Sequence, residues 1–451
     1  MTPSAIAQHF RKTQQEQDDL RLELQCRALL YYDGDADPPL ITKKGEPSDN
    51  VCVNLAQLIV DKGVEFLVGD GIEIDLGEEG DEGPEDEYLE TVWPEAQRCE
   101  DLIDLATNGA IFGHQWVKLS IQPDGNPKVT ILDPMAMSVV HDPRDWRVIN
   151  EYWYDWIEDD GALSSKVYRE ITTRAGAGWV IQDHEVLFGE NTRPIGPAIS
   201  WNRPFAPIFQ CKNLPKPNEF YGRPDLSCDV LSLIYYLHRA DSLIARILRL
   251  HGYPKTVARG MQAADLKTDI SGVLFVSKMD AEIKNLEMQS DLGAAMNFRK
   301  NLRESLAEVS AVPEITTGKT ENIGQLSGRA LQILYGPLLK RTGRKQKLFG
   351  RLLTDVLRAL LSIGGYDPQT KINLKWPNLV PGDPKEDREV ALLDKELGAS
   401  RDSLLEKFGY DPERERRQRE ADQDEIGSQA LAAFDRQQTV RGTIPQGGDD
   451  Q

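Results

Sequence analysis

The residues Thr317-Gly318-Lys319-Thr320 raise the first chemical possibility, because glycine followed by lysine and threonine ends the loop that binds nucleotide phosphates. That loop also needs a glycine five residues before Gly318, and Pro313 stands at that position. The residues before Pro313 have helical spacing, whereas a phosphate-binding loop follows a buried strand. The sequence therefore predicts no nucleotide binding and no ATPase activity of its own.

The other catalytic and metal-binding patterns are incomplete as well. The segment Gly324 to Gly328 holds a serine between glycines, but one residue away from the nucleophile position and with no strand before it. The six histidines lack the spacing of a metal site: His9, His114, His141, His184, His238 and His251. The five cysteines form no CxxC pair: Cys26, Cys52, Cys99, Cys211 and Cys228. We predict a protein that is not an enzyme, with no cofactor, metal or disulfide framework.

Charge is distributed unevenly along the chain. The 73 acidic residues outnumber the 53 basic ones and give a net charge of -20. Eleven acidic residues and no basic one lie between Asp70 and Glu90, which predicts a solvated loop. Lysine and arginine concentrate instead between Lys319 and Arg351. The acidic balance argues against a surface coated with nucleic acid, yet it leaves room for a local basic band.

Length and hydropathy indicate a large folded protein outside the membrane. The 451 residues are 40% apolar, enough to bury a large core and to divide into more than one folding unit. No stretch reaches the roughly 18 apolar residues of a membrane span, and the first residues lack the apolar core of a signal peptide. We expect synthesis in the cytosol.

The first half of the chain predicts an α+β unit. Helical spacing occurs in three segments: 9–32, 48–69 and 95–113. Alternating strand patterns occur in five: 116–121, 128–134, 151–158, 165–173 and 179–188. The first two strands enclose the turn QPDGNP and predict a hairpin, and the rest predict a mostly antiparallel sheet. The proline-rich residues 194–224 indicate a boundary.

The second half predicts long helices that flank short strands. A helix of more than six turns spans 225–252 and is closed by Gly252 and Pro254. A second helix, over 292–311, is stopped by Pro313, and a third, over 327–363, is interrupted at Gly336-Pro337, where we expect a kink. Short strand patterns lie between the first two helices: 255–260, 271–277 and 281–287.

The order of these elements resembles that of the portal (head-to-tail connector) proteins of tailed bacteriophages, over nearly the entire chain. Four segments carry the resemblance: VKLSIQPDGNPKVTILDPMAMSVVHDP, EFYGRPDLSCDVLSLIYYLHRADSLIARIL, VPEITTGKTENIGQLSGRALQILYGPLLKRTGRKQKLF and SRDSLLEKFGYDPERERRQREADQDE. In this order, the four segments are similar to four features of the family. These are its hairpin with an Asp-Pro turn, the beginning of its stem, the passage from its tunnel loop into a long helix, and its C-terminal pattern. In the third segment, Ser327-Gly328-Arg329-Ala330-Leu331 matches the start of that helix.

The resemblance implies an α+β portal-type subunit with a wing, a helical stem, a clip insert and a helical crown. Residues 1–223 would form the N-terminal part of the wing, 224–252 the first stem helix, and 253–290 the clip. Residues 291–312 would form the second stem helix and 313–326 the tunnel loop. The remaining parts would be a long kinked wing helix at 327–364, a wing strand segment at 365–384, and a crown with a flexible tail at 385–451.

The implied function is a ring, expected to be a dodecamer, at one vertex of the capsid in the virion. Double-stranded DNA would pass through this ring during packaging and ejection, without sequence specificity. The implied partners are the terminase motor, the major capsid and scaffolding proteins and a head-to-tail adaptor, with assembly in the host cytoplasm and no membrane contact.

The basic residues near the tunnel loop are the candidates for contacts with DNA in the channel. They are Lys319, Arg329, Lys340, Arg341, Arg344, Lys345 and Lys347. The other tunnel-loop residues are short, polar or permissive of backbone freedom: Glu314, Thr316, Thr317, Gly318, Thr320, Glu321, Asn322 and Gly324. Alternatively, the cations on the long helix only solvate its outer face or pair with acidic residues of a neighbouring subunit.

Two other classes of protein are consistent with parts of the sequence. Another virion structural protein, such as a head-to-tail adaptor, is the main alternative, although adaptors are usually shorter and lack this series of helix, strand insert, helix, loop and long helix. A cytosolic hydrolase with an unfamiliar site is the other, but it would need convergent polar residues that the sequence does not show at any recognised spacing.

Overall fold

The structure is a computed structural model, and part of the chain is described. The described residues are 14–42, 44, 47–69, 71–77, 83–142, 144–158, 166–176, 178–187, 191–252, 256–259, 267–268, 274–275, 282–285, 292–313, 328–377, 384–396, 398, 400, 404 and 416–417. They divide into two compact units, one within residues 1–324 and 332–379 and the other within residues 325–331 and 380–451.

Eight helices follow one another along the described residues. They are α1 (Gln14–Asp33), α2 (Leu55–Leu67), α3 (Pro84–Val92), α4 (Glu95–Phe112), α5 (Cys228–Gly252), α6 (Gly293–Ser310), α7 (Gly328–Gly364) and α8 (Pro384–Glu396). The α7 helix continues through Pro337, and α5 and α6 cover the ranges predicted for the two stem helices. Among the described helices, none is long and apolar enough to cross a membrane.

The strands form small antiparallel sheets. They are β1 (Glu73–Leu76), β2 (His114–Ile121), β3 (Pro127–Ile131), β4 (Met137–His141), β5 (Ile149–Glu158), β6 (Lys166–Ala175), β7 (Gly178–Val186), β8 (Thr192–Trp201), β9 (Ile208–Lys212), β10 (Thr256–Arg259), β11 (Lys267–Thr268), β12 (Leu274–Phe275), β13 (Glu282–Asn285) and β14 (Ile372–Lys375). Strands β4 to β8 form a five-stranded meander, and β3, β2 and β9 form a three-stranded sheet in that order. The pairs β1 with β14, β10 with β13 and β11 with β12 form two-stranded sheets.

The predicted hairpin is confirmed. Strands β2 and β3 pair with Val117 opposite Ile131 and Ile121 opposite Pro127. The turn between them closes through Gly125, whose φ of 90° is a conformation that favours glycine. The predicted strands at 151–158, 165–173 and 179–188 appear as β5, β6 and β7. The short strands predicted between the stem helices are also present as backbone pairs.

One local prediction is wrong, and two strands were not predicted. The acidic stretch contains β1 and α3 in addition to loop residues, because Asp86 caps the start of α3 and accepts from the backbone N–H groups of Gly83 and Leu76, both at 3.1 Å. Acidic residues are favourable in the first turn of a helix, where the backbone dipole is positive. The proline-rich segment contains strands β8 and β9, since β8 lies at the edge of its sheet and an edge strand tolerates proline.

Another local prediction, a helix over 48–69, is correct only from Leu55. Asn54 ends the preceding extended segment and accepts a hydrogen bond at 2.9 Å from the backbone N–H of Gln57, which caps α2. Residues 47–54 are therefore an extended strap.

The core of the sheet region is aromatic. Trp116, Met137 and Phe220 are buried together between the two larger sheets. His114 lies against Trp116 and Phe220. Its ring forms hydrogen bonds with the Gln210 side chain and with the backbone N–H of Gly222. Burial lowers the pKa of His114 to about 3, so this histidine is a neutral core residue.

Arg21 attaches α1 to the β4 end of the five-stranded sheet. Its guanidinium donates to the carbonyl oxygens of Pro134 at 3.3 Å and Met137 at 3.1 Å, and it lies 4.3 Å from the ring centre of Tyr221. Gln25, one turn further along α1, donates to the carbonyl oxygen of Phe112 at the end of α4. The helix is thus fixed by polar contacts in addition to apolar packing.

Gly222 marks the closest backbone approach in this region. A Cβ atom there would stand 2.4 Å from the carbonyl oxygen of Gly113 and 2.9 Å from that of Leu214. We predict that Gly222→Ala lowers the free energy of unfolding by about 3 kcal/mol or more, because backbone atoms would have to move. Urea unfolding measures the change.

The matched control is Gly343→Ala, at a helical position with nothing within 4 Å of the added methyl group. Alanine is the better helix former, so this variant should gain roughly 0.5–1 kcal/mol. Equal unfolding midpoints for the two variants would contradict the packing described for Gly222.

Candidate functional site

The tunnel-loop candidates lie outside the described residues, so the structure does not position them. This applies to Glu314, Thr316, Thr317, Gly318, Lys319, Thr320, Glu321, Asn322 and Gly324. The described chain ends at Pro313 on one side of this loop and resumes with α7 at Gly328 on the other. Arg329 belongs to the first turn of α7, and only its backbone is described. The roles of all these residues stay predictions.

Three of the basic candidates form an exposed stripe on α7. Lys340, Arg344 and Lys347 are exposed, and their spacing of four and three residues places them on one face of the helix. Within the described part of the chain, none of the three forms an ion pair. The basic stripe therefore presents three cationic groups to solvent.

The other two described candidates lie on an adjacent, buried face of the helix and point into the protein. Arg341 donates through Nη2 to Asp225 Oδ1 at 2.8 Å, and Lys345 donates through Nζ to Asp225 Oδ2. The side chains of Asp225, Arg341 and Lys345 are 4%, 14% and 5% exposed. These two cations are thus bound to an acidic residue of the same subunit, an arrangement that the sequence did not indicate.

This buried charge cluster joins the beginning of α5, the end of α6 and the middle of α7. Asp225 precedes α5 by three residues, and Arg341 and Lys345 lie one turn apart on α7. Arg341 also donates through Nη1 to the carbonyl oxygen of Ser310, the last residue of α6. The cluster therefore fixes the end of α6, just before the predicted tunnel loop, to the residues that precede α5.

Further contacts hold Asp225 in place. Asn213, which follows β9, donates to Asp225 Oδ1 at 2.9 Å, and the backbone N–H of Asp225 donates to the carbonyl oxygen of Ala110 at 2.8 Å. Gly63 of α2 approaches closely, since a Cβ atom there would stand 3.3 Å from Asp225 Oδ2. The sheet region and α2 thus contact the same carboxylate as the helices.

The electrostatics of the cluster favour an ionised carboxylate. Burial alone raises the pKa of Asp225, but the charges of Lys345 and Arg341 outweigh that effect and hold the pKa below its ordinary value. Burial, together with the neighbouring Arg341 charge, lowers the pKa of Lys345 despite its contact with Asp225. Two cations share one carboxylate. Both of them stabilise the ionised form of Asp225, whereas the two positive charges repel each other.

The two predicted stem helices pack against each other. Arg299 of α6 binds Asp241 of α5 through both guanidinium nitrogens that face it. Asp241 lies sixteen residues beyond Asp225, and Arg299 lies eleven residues before Ser310. The contacts therefore occur in opposite order along the two helices, as in an antiparallel pair.

The strap of residues 47–54 lies along α5 and was not foreseen from the sequence. Val53 O is 2.8 Å from His238 Nε2, and the backbone N–H of Val51 donates to Ser242 Oγ at 2.9 Å. Asp49 accepts from Arg246 at 3.1 Å and from Arg249 at 2.7 Å. Alternate strap residues thus meet successive turns of the helix, and the alternation in VCVN is the only local signal of this.

The described residues offer no arrangement typical of catalysis. Among them, no three histidine, cysteine, aspartate or glutamate side chains are grouped so that they could hold a metal ion. The basic stripe is suited to contacts with phosphate groups, and the buried charge cluster to holding helices together. Both groups of residues therefore act by pairing opposite charges.

The sequence matches the model of one protein family, described as phage portal protein, SPP1 Gp6-like, over residues 27–169 and 246–429. Comparison with the curated proteins finds no match.

Among solved structures, the fold is similar to a chain in the neck of an empty gene transfer agent particle computed with C6 symmetry. That match has a TM-score of 0.50 and 14% identity, and it covers 80% of this chain and 91% of the other. A chain in the virion of the native gene transfer agent particle gives a TM-score of 0.50 and 14% identity. That match covers 86% of this chain and 99% of the other. A chain in the neck of the native particle, computed with C12 symmetry, gives a TM-score of 0.48 and 13% identity. That match covers 79% of this chain and 90% of the other.

We predict that Asp225→Asn lowers the free energy of unfolding by about 3–5 kcal/mol, because it leaves two buried cations without their carboxylate. The double variant Asp225→Asn with Lys345→Met should recover part of this loss, since one uncompensated charge is removed. Chemical unfolding followed by circular dichroism measures both.

The control is Asp355→Asn, because Asp355 is half exposed and its ion pair with Arg351 is 3.8 Å long. That variant should change stability by less than about 1 kcal/mol. A loss for Asp225→Asn no larger than for Asp355→Asn would show that the cluster does not hold α5, α6 and α7 together.

The strap should detach in acid. Hydrogen bonds from Arg249 and Arg246 lower the pKa of Asp49 from its ordinary 3.8 to about 2. A carboxylate whose pKa is lower in the folded state stabilises the fold above pH 3.8, and this contribution disappears as the pH falls towards 2. We predict that wild type loses more stability over this range than Asp49→Asn.

Unfolding midpoints measured at several acidic pH values test this prediction, with Asp183→Asn, at an exposed position, as the control. Identical pH profiles for wild type and Asp49→Asn would mean that the strap carboxylate is not held by the two arginines.

Proposed function

The chain belongs to the SPP1 Gp6-like phage portal protein family, and from this premise we propose that its copies close into a ring whose axial channel passes double-stranded DNA. The chain is a portal protein of a phage-like particle and therefore a component of the virion. The family is structural, and we propose that this member hydrolyses no ATP itself.

The basic stripe is the main observation that supports contact between this protein and duplex DNA in the channel. It presents the exposed cations Lys340, Arg344 and Lys347 on a chain whose net charge is -20. DNA carries about one negative charge per 1.7 Å of its axis, so a channel that was basic throughout would bind the duplex too tightly to let it slide. A few cations on an acidic ring would centre the duplex through weak contacts with its phosphates.

The other channel candidates divide into two groups. Lys319 and Arg329 are proposed to extend the basic surface into the tunnel loop. Arg341 and Lys345 are bound to Asp225 in the single chain, so we propose that they contribute by holding α7 at the correct angle. A duplex in the channel would then meet the exposed face of α7 and not its buried face.

The proposed parts of the subunit follow the described elements. The sheets and helices within residues 1–223, with 327–364 and 365–384, form the wing, and α5 and α6 form the stem. Residues 253–290, with the paired strands β10 to β13, form the clip, and residues 385–451 form the crown and tail. The loop at 313–326 forms the narrowest part of the channel.

Ring formation is supported by apolar side chains that the single chain leaves exposed on the stem helices. They are Tyr236, Leu243 and Leu248 on α5, and Met296, Phe298 and Val309 on α6. A second copy could cover this surface, because identical subunits arranged head to tail around an axis bury one face against the next. The similar neck structure was computed with C6 symmetry, which is consistent with our proposal of twelve copies.

The proposed partners follow from the ring and its place in the particle. The clip would dock the terminase motor during packaging and a head-to-tail adaptor afterwards. The wing would contact the major capsid and scaffolding proteins, with assembly in the host cytoplasm. Family membership disfavours both alternatives considered from the sequence, an adaptor and a hydrolase.

We predict that the purified full-length chain forms closed rings, because the apolar stem faces need a partner. Native mass spectrometry gives the number of copies, and negative-stain images show whether an axial hole is present. A species that stays monomeric at every protein and salt concentration would contradict the ring.

The basic stripe predicts a salt-dependent affinity for duplex DNA. The triple variant Lys340→Gln, Arg344→Gln and Lys347→Gln should bind DNA of any sequence more weakly. The slope of log affinity against log salt should also fall, by about one for each phosphate that the variant no longer neutralises. Fluorescence anisotropy with assembled rings measures both quantities.

The control triple removes three exposed cations of the sheet region: Lys128→Gln, Arg193→Gln and Lys216→Gln. It changes the net charge by the same amount, so it should leave the salt slope of DNA binding close to that of wild type. An equal loss for both triples would show that net charge, and not the α7 stripe, controls DNA binding.

A further inference from the structure

The α5 helix has one face that the single chain leaves exposed. One side of the helix meets α6, through the ion pair of Asp241 with Arg299. The strap covers an adjacent side, where the backbone N–H of Val51 donates to Ser242 Oγ. The face opposite α6, which we call the outer face of α5, carries three exposed side chains: Tyr236, Arg239 and Leu243. At 3.6 residues per turn, all three lie within about 40° of the point opposite Asp241.

The outer face of α6, opposite Arg299, is polar and acidic. Its exposed residues are Asn297, Asn301, Glu304 and Glu308. Within the described residues, Glu308 has no ion pair, and Glu304 has a long one with the exposed Lys300 at 3.8 Å. Exposed ion pairs of this kind contribute little to stability, so both carboxylates can accept from a partner.

The outer face of α5 has the complementary chemistry. Arg239 is its one cation, and it forms no ion pair with any residue that the structure describes. The Tyr236 side chain is 49% exposed and the Leu243 side chain 41%. The face thus presents guanidinium and hydroxyl donors beside apolar surface, whereas the outer face of α6 presents carboxylate and amide acceptors.

The two outer faces also match in height. Asp241 and Arg299 mark one level of the antiparallel pair, so Arg239 and Asn301, each two residues away in the same direction, share another. Glu304 lies only about 4.5 Å further along, within the reach of an arginine side chain. Rotation about a symmetry axis leaves the height of every residue unchanged. Copies whose helix pairs stand along that axis therefore bring these positions face to face.

We propose, on the basis of the ring proposed above, that the outer face of α5 in one copy docks on the outer face of α6 in the next copy. Arg239 would pair with Glu304 and donate to the side-chain oxygen of Asn301. Tyr236, at the level of Glu304, would donate its hydroxyl to the same carboxylate. The two faces differ, so the contact is head to tail and repeats around a ring, whereas a self-complementary face would stop at a dimer.

Charge reversal in the full-length protein tests this contact. Arg239→Glu should need about tenfold more protein to form rings, because like charges would face each other at every junction between copies. Adding Glu304→Arg should restore ring formation, since the same ion pair then forms in reverse. The matched control Lys128→Glu, at an exposed position of the sheet region, should assemble as wild type does. Native mass spectrometry over a protein dilution series measures the fraction of rings.

A disulfide provides a second measurement that does not depend on charge. Leu243 and Asn297 share one level but lie on opposite sides of the helix pair, so cysteines at these positions cannot meet within one copy. Oxidised rings of the double variant Leu243→Cys with Asn297→Cys should give a ladder of covalently linked copies on a denaturing gel. Each single variant should give only the pattern of wild type.

The contact is overturned, and the ring itself retained, if Arg239→Glu assembles as well as wild type. The same conclusion follows if the double charge reversal stays unassembled or if the double cysteine rings give no ladder. Wild type that forms no ring would overturn the contact together with the proposed function.

Discussion

A single buried carboxylate sets the geometry on which the rest of the helical region depends. Asp225 stands at the beginning of α5 and binds Arg341 and Lys345 of α7, while Arg341 also holds the end of α6 at Ser310. Ionised groups are rarely buried unless they are paired, so α5, α6 and α7 have few other arrangements open to them at this point. The helices α5, α6 and α7 are therefore positioned by charge as well as by apolar packing.

The cluster also explains why an acidic portal protein has so basic a helix. The 3.6-residue period of α7 divides its cations into two sets with different surroundings. One set, Arg341 and Lys345, is used inside the subunit, and the other, Lys340, Arg344 and Lys347, is left on the surface. Positive charge that a composition count treats as one patch thus serves both stability and, we propose, contact with DNA.

The elements that could be predicted from the sequence are those whose structure is determined by a local residue pattern. The β2–β3 hairpin has its turn residues in place, and α5, α6 and α7 have apolar residues at helical spacing, so each was found. The strap, β9 and the acidic β1 were missed because each is stabilised by residues distant in the sequence. Strand β8 pairs with the neighbouring β7 and was missed because prolines argue against a strand. Asp225 and Lys345 are 120 residues apart. Consequently the five helical cations looked equivalent until the fold showed which face of α7 is buried.

An electron cryomicroscopy structure of the assembled protein with duplex DNA would show both the charge cluster and the basic stripe in place. We predict a closed ring in which Asp225 binds Arg341 and Lys345 of its own subunit, with Lys340, Arg344 and Lys347 directed towards the DNA in an axial channel. A ring in which the cluster is broken, or in which these three cations face the outer rim, would contradict it.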